Sequence, residues 1–169
     1  MFLSNRSNRF KLAMLAGVLA TSAGIAFAHG DVVPQAVDTH TLPQLGPKWL
    51  DSNPYSKGKS DAHGEALRIG TSAYNQNCAR CHGLEAISGG IAPDLRHLDD
   101  DCAGLRDAKK QAACVRDVND WFVGHFRHGV TRNGAVYMPG FEGILSQEAA
   151  WAIKTYLESL RVKPLAEAK

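Results

Sequence analysis

One pentapeptide constrains this chain more than any other feature. Cys78-Ala79-Arg80-Cys81-His82 is a CxxCH motif, in which two thiols three positions apart are followed directly by an imidazole. Each thiol can form a thioether with a vinyl group of haem, and the histidine then lies beneath the iron as an axial ligand. The motif therefore predicts one covalently bound haem c, which a small domain can retain without enclosing it completely.

Two other kinds of site use a CxxC pair. A redox dithiol of the thioredoxin type occurs beside a βαβ unit, and a structural zinc site needs a second pair of ligands. Neither context is evident in the sequence. Haem attachment is therefore the preferred interpretation, and the dithiol and the half zinc site are its alternatives.

Met138 is the best candidate for a sixth iron ligand. It lies in Tyr137-Met138-Pro139-Gly140-Phe141, 56 residues after His82, where proline and glycine predict a loop before the last helix. A thioether ligand raises the reduction potential and fills the position that oxygen or peroxide would use. Methionine also serves as core filler. The rival iron ligands are the histidines His97, His125 and His128.

Cys102 and Cys114 remain once the haem motif is set aside. In an exported protein, two cysteines left over from the haem motif predict a disulfide. Closing a loop of this size would stabilise the folded state by roughly 3 kcal/mol. A catalytic thiol pair is the alternative. The neighbouring run Asp99-Asp100-Asp101 predicts a solvated turn with a helix cap, and an ion site or a partner-binding patch is the alternative there.

The first 28 residues have the pattern of a secretory signal peptide. Arg6, Arg9 and Lys11 form a basic region, residues 12–25 are apolar, and Ala26-Phe27-Ala28 is a small-x-small cleavage site. We expect cleavage after Ala28 and an exported mature protein. An uncleaved membrane anchor is the alternative, because about 17 uncharged residues could barely span a bilayer.

The charge of the mature chain excludes some functions. Cleavage would remove three of the 19 basic residues and none of the 17 acidic ones, which leaves 16 against 17. A nearly neutral chain lacks the basic footprint of a nucleic-acid-binding protein. No later stretch is long and apolar enough to cross a bilayer. We expect no nucleic-acid partner and no stable membrane insertion after cleavage.

Residues 29–60 and residues 61–169 differ in pattern. The first segment holds four prolines and no sustained period, so it is an extended N-terminal arm. Trp49, Leu50 and Tyr55 could hold the arm on the domain that follows, and a disordered linker is the alternative. The second segment is one monohaem domain.

Helical periodicity governs the domain. The pattern predicts a helix from about Glu65 to Asn77 and another that follows Cys114 and ends at Gly129. A third helix is predicted over residues 147–160, with Ser146 as its N-cap. No convincing strand pair appears, so the predicted fold class is all-α.

Residues 61–169 resemble a class I cytochrome c. Gly70 and Tyr74 lie eight and four residues before the first haem cysteine, as in the amino-terminal helix of that family. Tyr156 matches the aromatic residue of the family's carboxy-terminal helix, which crosses the amino-terminal helix. Pro93 matches the family proline whose carbonyl orients the axial histidine, here His82. The resemblance implies a fold in which three or more helices enclose the haem.

A closer resemblance spans nearly the whole mature chain. The strings HGDVVPQAVDT, AYNQNCARCHGLEAISGGIAPDLR and GAVYMPGFEGILSQEAAWAIKTYLES are similar to the PedF-type cytochromes c. These are periplasmic partners of alcohol dehydrogenases that depend on pyrroloquinoline quinone (PQQ). The resemblance implies that the chain accepts electrons from such a dehydrogenase and passes them to a terminal oxidase or another respiratory acceptor.

The expected function is thus electron transfer without substrate chemistry. One alternative is a small haem peroxidase or gas sensor, which would have an open sixth site on the iron. Another is a cytochrome subunit that stays bound to a dehydrogenase, with the arm of residues 29–60 as its tether.

Overall fold

The structure, a computed structural model, describes residues 33–58 and 60–165. The expected signal peptide and its cleavage site lie outside the described residues. The described part is mostly helical, with two short 3₁₀ helices at Leu84–Ala86 and Leu95–His97 and one antiparallel strand pair. Its longer elements are α1 His63–Asn77, α2 Ala79–His82, α3 Asp100–Ala103, α4 Ala108–His128, β1 Val130–Arg132, β2 Ala135–Met138 and α5 Gln147–Ser159.

The core lies where α1 crosses α5. Gly70 of α1 faces the Ala152 carbonyl so closely that a Cβ atom would overlap it. The rings of Tyr74 and Tyr156 meet beside this crossing, with centroids 5.2 Å apart. The helix predicted over residues 65–77 is confirmed, and small residues lie on its buried face because only a small side chain permits this approach.

The capping residues explain where the other two long helices begin and end. The Ser146 hydroxyl accepts a hydrogen bond from the Ala149 amide, which confirms the predicted start of α5. Helix α4 ends before Gly129, as predicted, because Gly129 has a φ of +67°. The predicted start of α4 after Cys114 is wrong. The Asp107 carboxylate accepts from the Lys110 amide and starts the helix at Ala108.

The hairpin β1–β2 departs from the predicted all-α fold, in which no strand pair was expected. Val130 pairs with Met138 and Thr131 with Val136, with an irregularity between Val130 and Thr131. Asn133 and Gly134 form the turn and both have positive φ values, 50° and 77°. Such a turn matches the twist of two strands. Met138 therefore ends a strand, and the Pro/Gly loop begins one residue later.

The described part of the arm, residues 33–58, packs on the domain. Leu42, Asn53 and Tyr55 are buried, and the Tyr55 hydroxyl donates to the Pro43 carbonyl at 2.7 Å. The disordered-linker alternative is wrong for these residues, because apolar and polar contacts both hold them against the helices. Trp49 and Leu50 are only half-buried, but they contact the same core.

The side chains at the start of α5 form many of the arm's polar contacts. The Gln147 amide donates to the carbonyls of Gly46 and Lys48 at 2.8 and 3.0 Å, and its oxygen accepts from the Leu50 amide at 2.9 Å. A Glu148 carboxylate oxygen accepts from the Leu45 amide at 2.8 Å. The backbone of an irregular segment thus gains partners without forming a strand.

The acidic run at residues 99–101 forms a turn and the start of α3, with Asp101 exposed, but the predicted solvated cap is wrong for Asp99. Asp99 is 3% exposed, and its carboxylate makes no capping hydrogen bond to α3. It lies instead beside the buried Lys154 ammonium of α5. Asp100 pairs with His97 and Lys163, at 2.8 and 3.1 Å.

Within residues 33–58 and 60–165, no helix has both the length and the apolar character needed to cross a bilayer.

Candidate haem site

The CxxCH motif lies at the junction of α1 and α2. The Cys78 amide donates to the Tyr74 carbonyl as the last bond of α1, and the His82 amide donates to the Cys78 carbonyl at 3.0 Å. Both motif cysteines are free thiols and half-buried. The helical backbone therefore brings the two thiols and the following imidazole together within one turn.

The turn after the motif is fixed by a buried tyrosine and a glycine. The Tyr74 hydroxyl donates to the Gly83 carbonyl at 2.9 Å. Gly83 has a φ of +78°, and a Cβ atom there would overlap the Ile87 carbonyl. The chain can therefore leave His82 in this direction only with glycine next to it.

The His82 imidazole has one defined tautomer. Its Nδ1 lies 2.9 Å from the Pro93 carbonyl oxygen, which can only accept, so Nδ1 carries the proton. The lone pair is then on Nε2, which is the atom free to bind a metal. His82 is 8% exposed, so the ring is held in place by its surroundings as well.

The two alternatives to haem attachment find no support at these thiols. Burial, with a smaller contribution from Cys81, raises the pKa of the Cys78 thiol to about 12. A redox dithiol needs a lowered pKa at its reactive cysteine, because the thiolate is the nucleophile. Within the described residues no three His, Cys, Asp or Glu side chains form a group that could hold zinc.

Met138 is held by the end of α4 and the loop that follows β2. Gly129 lies against the Met138 carbonyl so closely that a Cβ atom would overlap it. The Phe141 amide donates to the Phe126 carbonyl at 2.9 Å, and the two rings stack with centroids 5.3 Å apart. Met138 itself is half-buried and contacts the core.

Large apolar side chains are exposed in both segments that flank the expected ligands. Leu84 and Ile91, which follow His82, are 74% and 80% exposed, and Val136 and Tyr137, which precede Met138, are 70% and 64% exposed. Exposed apolar groups of this size mark surfaces that bind an apolar ligand or partner. Together with two free thiols and a free Nε2, they fit a covalently bound haem.

The rival histidines have other partners. His97 contacts the Asp100 carboxylate at 2.8 Å. His125 donates to the Trp121 carbonyl and stacks on its indole at 3.9 Å. His128 lies 3.6 Å from the Glu142 carboxylate. Each contact places the imidazole beside a neighbour in the chain or in the fold and is made by Nδ1, as it is at His82.

Cys102 and Cys114 are joined by a disulfide in the structure. Their Cα atoms are 5.7 Å apart, and the bond connects α3 to α4. Cys102 is completely buried. This bond fixes the segment between the Pro93 region and the long helix α4.

Sequence reasoning did not identify Asn77, which lies directly before the first motif cysteine. Its side-chain oxygen accepts from the Gln35 amide of the arm at 2.7 Å, and its nitrogen donates to the Ala73 carbonyl at 3.1 Å. The contact joins residues 42 positions apart, so no local pattern predicts it. The arm thus reaches the end of α1 where the motif begins.

Comparison with known proteins identifies the family. The family described as cytochrome c oxidase, cbb3-type, subunit III matches residues 65–157. Cytochrome c550 of Pseudomonas aeruginosa is 50% identical over 159 residues, which cover 94% of this chain and 98% of that protein. The chain belongs to the cytochrome c family. It therefore binds haem c covalently and is a c-type cytochrome electron carrier.

Two larger proteins are similar over part of the chain. The quinohemoprotein alcohol dehydrogenase ADH IIB of Pseudomonas putida is 32% identical over 98 residues, which cover 56% of this cytochrome and 11% of the dehydrogenase. ADH-IIG of the same organism is 46% identical over 33 residues, 20% of this chain and 5% of that protein. No solved structure matches the chain significantly.

Proposed function

We propose that this cytochrome is a soluble periplasmic monohaem electron carrier of class I. It accepts electrons from a PQQ-dependent alcohol dehydrogenase and passes them to a terminal oxidase or another respiratory acceptor. The observation that carries the electron-transfer assignment is the His82 imidazole of the CxxCH motif, whose Nδ1 donates to the Pro93 carbonyl at 2.9 Å. A protonated Nδ1 leaves Nε2 as an iron ligand of defined orientation.

In this proposal five residues have distinct roles at the haem. Cys78 and Cys81 would hold the haem through two thioethers, and His82 and Met138 would bind its iron. Pro93 holds the proton of His82 Nδ1 and so fixes the ring. Haem c supplies one-electron chemistry when bound, because its iron alternates between the ferric and ferrous states. Helices of the domain would enclose the bound haem, as in class I cytochromes c.

Two observations support the proposed donor. The cytochrome resembles the PedF-type cytochromes c, and part of it is similar to quinohemoprotein alcohol dehydrogenases, which are named for a quinone and a haem in one protein. A domain of this kind fused to a dehydrogenase would receive electrons from the quinone within one molecule. A separate chain of the same kind would receive them by transient docking, in a small contact typical of redox partners.

The proposed location and organisation follow from the leader pattern. Residues 1–28 are the signal peptide, removed after Ala28 on export to the periplasm. Residues 29–60 form the arm, and residues 61–169 form the haem domain. The mature chain is nearly neutral, so no nucleic-acid partner and no stable membrane insertion are part of the proposal.

The two alternatives make different demands on the chain. A peroxidase or gas sensor needs an open sixth site, whereas Met138 is half-buried and held by its neighbours on α4. A bound dehydrogenase subunit would use the arm as its tether. Residues 33–58 of that arm already contact α5 of their own domain, and this favours a free carrier.

The absorption spectrum of the holoprotein tests the axial ligands. We expect a methionine-to-iron charge-transfer band in the ferric form and no response of the ferrous form to carbon monoxide. Met138→Ala should abolish the band and admit carbon monoxide, and His128→Ala is the matched control that should change neither. A high-spin wild-type spectrum would place the open-site alternative first.

Stopped-flow reduction tests the donor. The ferric holoprotein is mixed with a PQQ-dependent alcohol dehydrogenase whose quinone is reduced. We expect the enzyme to transfer electrons to the cytochrome within a single catalytic cycle. Met138→Ala should be reduced more slowly, because loss of the thioether lowers the reduction potential. An unreduced wild-type cytochrome would contradict the proposed donor while leaving the haem ligands in place. Copurification with a large subunit at moderate salt would favour the bound-subunit alternative.

A further inference from the structure

A lysine in the middle of α5 is completely buried. The exposed fraction of Lys154 is 0%, and its ammonium lies 3.3 Å from an Asp99 carboxylate oxygen and 3.3 Å from Glu158. The Arg161 guanidinium is 2.5 Å from the same Asp99 oxygen and 3.5 Å from Glu158. Two cations and two carboxylates thus form one largely buried group, here called the Asp99 cluster.

Stability alone is a poor explanation of the Asp99 cluster. Removing charges from water is costly, and apolar residues of similar volume often replace a buried ion pair without loss of stability. What distinguishes charged groups from apolar ones is that they fix one geometry, because each oxygen and each N–H must meet its partner. The relevant question is therefore which segment of the chain the cluster orients.

Asp99 orients the segment that follows Pro93. It occupies the N-cap position of α3, but its carboxylate points to α5 and makes no bond to α3. Three residues earlier, the Arg96 carbonyl accepts from the Val162 amide at 3.3 Å. Residues 93–99 are thus attached to α5 and to the chain directly after it at two places, three and six residues beyond Pro93.

We propose that the Asp99 cluster is a positioning device for the axial histidine. By holding residues 93–99 on α5, it keeps the Pro93 carbonyl 2.9 Å from His82 Nδ1 and so sets the orientation and basicity of the imidazole. Asp99 and Lys154 touch neither the imidazole nor the thiols, and they act through Pro93. The inference rests on the proposed function, in which His82 binds the iron.

The test is the exchange of one proton in the intact holoprotein. In Asp99→Asn/Lys154→Gln both charges of the most deeply buried pair are removed together, so the net charge is unchanged. We expect the His82 Nδ1 proton of the ferrous form to exchange with deuterium about tenfold faster than in wild type, because a less firmly held segment opens more often. We also expect a higher reduction potential, since a weaker hydrogen bond leaves the imidazole a weaker electron donor.

Lys163→Gln is the matched control. Its ammonium pairs with Asp100 at 3.1 Å and is 61% exposed, so it removes a charge beside the same segment but outside the Asp99 cluster. It should leave the exchange rate and the potential at their wild-type values. Exchange of the α1 amide protons should be the same in all variants, which separates a local effect from general destabilisation.

The inference is overturned if the double variant has the wild-type exchange rate at His82 Nδ1 and the wild-type reduction potential. If the double variant does not fold, Arg161→Gln removes a single contact to Asp99, and unchanged His82 exchange in that variant has the same meaning. If the spectrum of the wild-type protein shows no histidine bound to the iron, the proposed function is contradicted instead.

Discussion

Tyr74 carries a hydrogen bond on which the geometry of the haem motif depends. Its ring is completely buried against Tyr156, and its hydroxyl reaches past the motif to the Gly83 carbonyl at 2.9 Å. Burial, together with the nearby Cys78 thiol, raises the pKa of this phenol, so its hydroxyl stays protonated and donates at neutral pH. One side chain of α1 thus fixes the exit of the chain from His82.

Tyr74→Phe should therefore destabilise the holoprotein. The substitution removes the donor and leaves the half-buried Gly83 carbonyl without it, which costs about 1 kcal/mol in the free energy of unfolding. Tyr137→Phe is the control: it keeps the ring beside Met138 and removes a hydroxyl that has no hydrogen-bond partner among the described residues, so it should be neutral. Guanidinium unfolding followed by circular dichroism measures both, and equal stabilities would contradict the role of the Tyr74 hydroxyl.

At this scale the sequence predicted residues whose roles are set by neighbours in the chain. The CxxCH spacing identified Cys78, Cys81 and His82, and the family resemblance identified Pro93, which the structure places at hydrogen-bonding distance from His82. Asn77 and Lys154 were not predicted. Their partners are 42 and 55 residues away, so only the folded chain brings them together.

At the scale of elements, the crossing of α1 and α5 depends on one missing side chain. Gly70→Ala places a Cβ where the Ala152 carbonyl lies, so the helices must separate. We expect a loss of about 3 kcal/mol in the free energy of unfolding, the range of an overpacked core.

Gly64→Ala is the matched control in the same helix, since a Cβ there meets nothing within 4 Å. It should be neutral or slightly stabilising, because alanine favours helix more than glycine does. Chemical unfolding of the two holoproteins gives the comparison. If Gly70→Ala is as stable as Gly64→Ala, the close approach of the two helices does not account for Gly70.

Element boundaries were predicted where a capping residue is visible in the sequence. Ser146 and Gly129 gave the start of α5 and the end of α4. The earlier start of α4 was missed although Asp107 is a typical N-cap residue. The hairpin was missed as well, although Asn133-Gly134 is the strongest short-range signal for a two-residue turn. Both signals were present, but the strands beside the turn are only three and four residues long, too short to show a clear alternation.

At the scale of the whole molecule, the arm and the haem domain depend on each other. Hydrogen bonds between residues about 100 positions apart, such as those of Leu45 with Glu148 and Asn53 with Thr155, hold the arm along α5. No periodicity marks such contacts, so the sequence left the arm either packed or disordered. Polar side chains at the start of α5 favour the packed arm, because they supply hydrogen-bond partners for its backbone.

Glu148 makes the attachment of the arm depend on pH. Burial by itself would raise the pKa of this carboxyl, but hydrogen bonds from the Leu45 amide, its own amide and the Ser146 hydroxyl lower it below the usual value. A carboxyl with a lower pKa in the folded state stabilises the fold above its unfolded pKa of about 4.3. That contribution is lost as the pH falls through the folded pKa.

Glu148→Gln should flatten the acidic part of the stability profile. The amide still accepts a hydrogen bond from Leu45, but it does not titrate. The variant should be less stable than wild type at pH 7, and the difference should shrink as the pH falls below about 4.3. Unfolding of the full-length holoprotein across this range provides the measurement, with the exposed Glu85→Gln as control. A constant difference between wild type and Glu148→Gln would mean that the carboxylate charge does not contribute, and that the arm is held by packing and neutral hydrogen bonds.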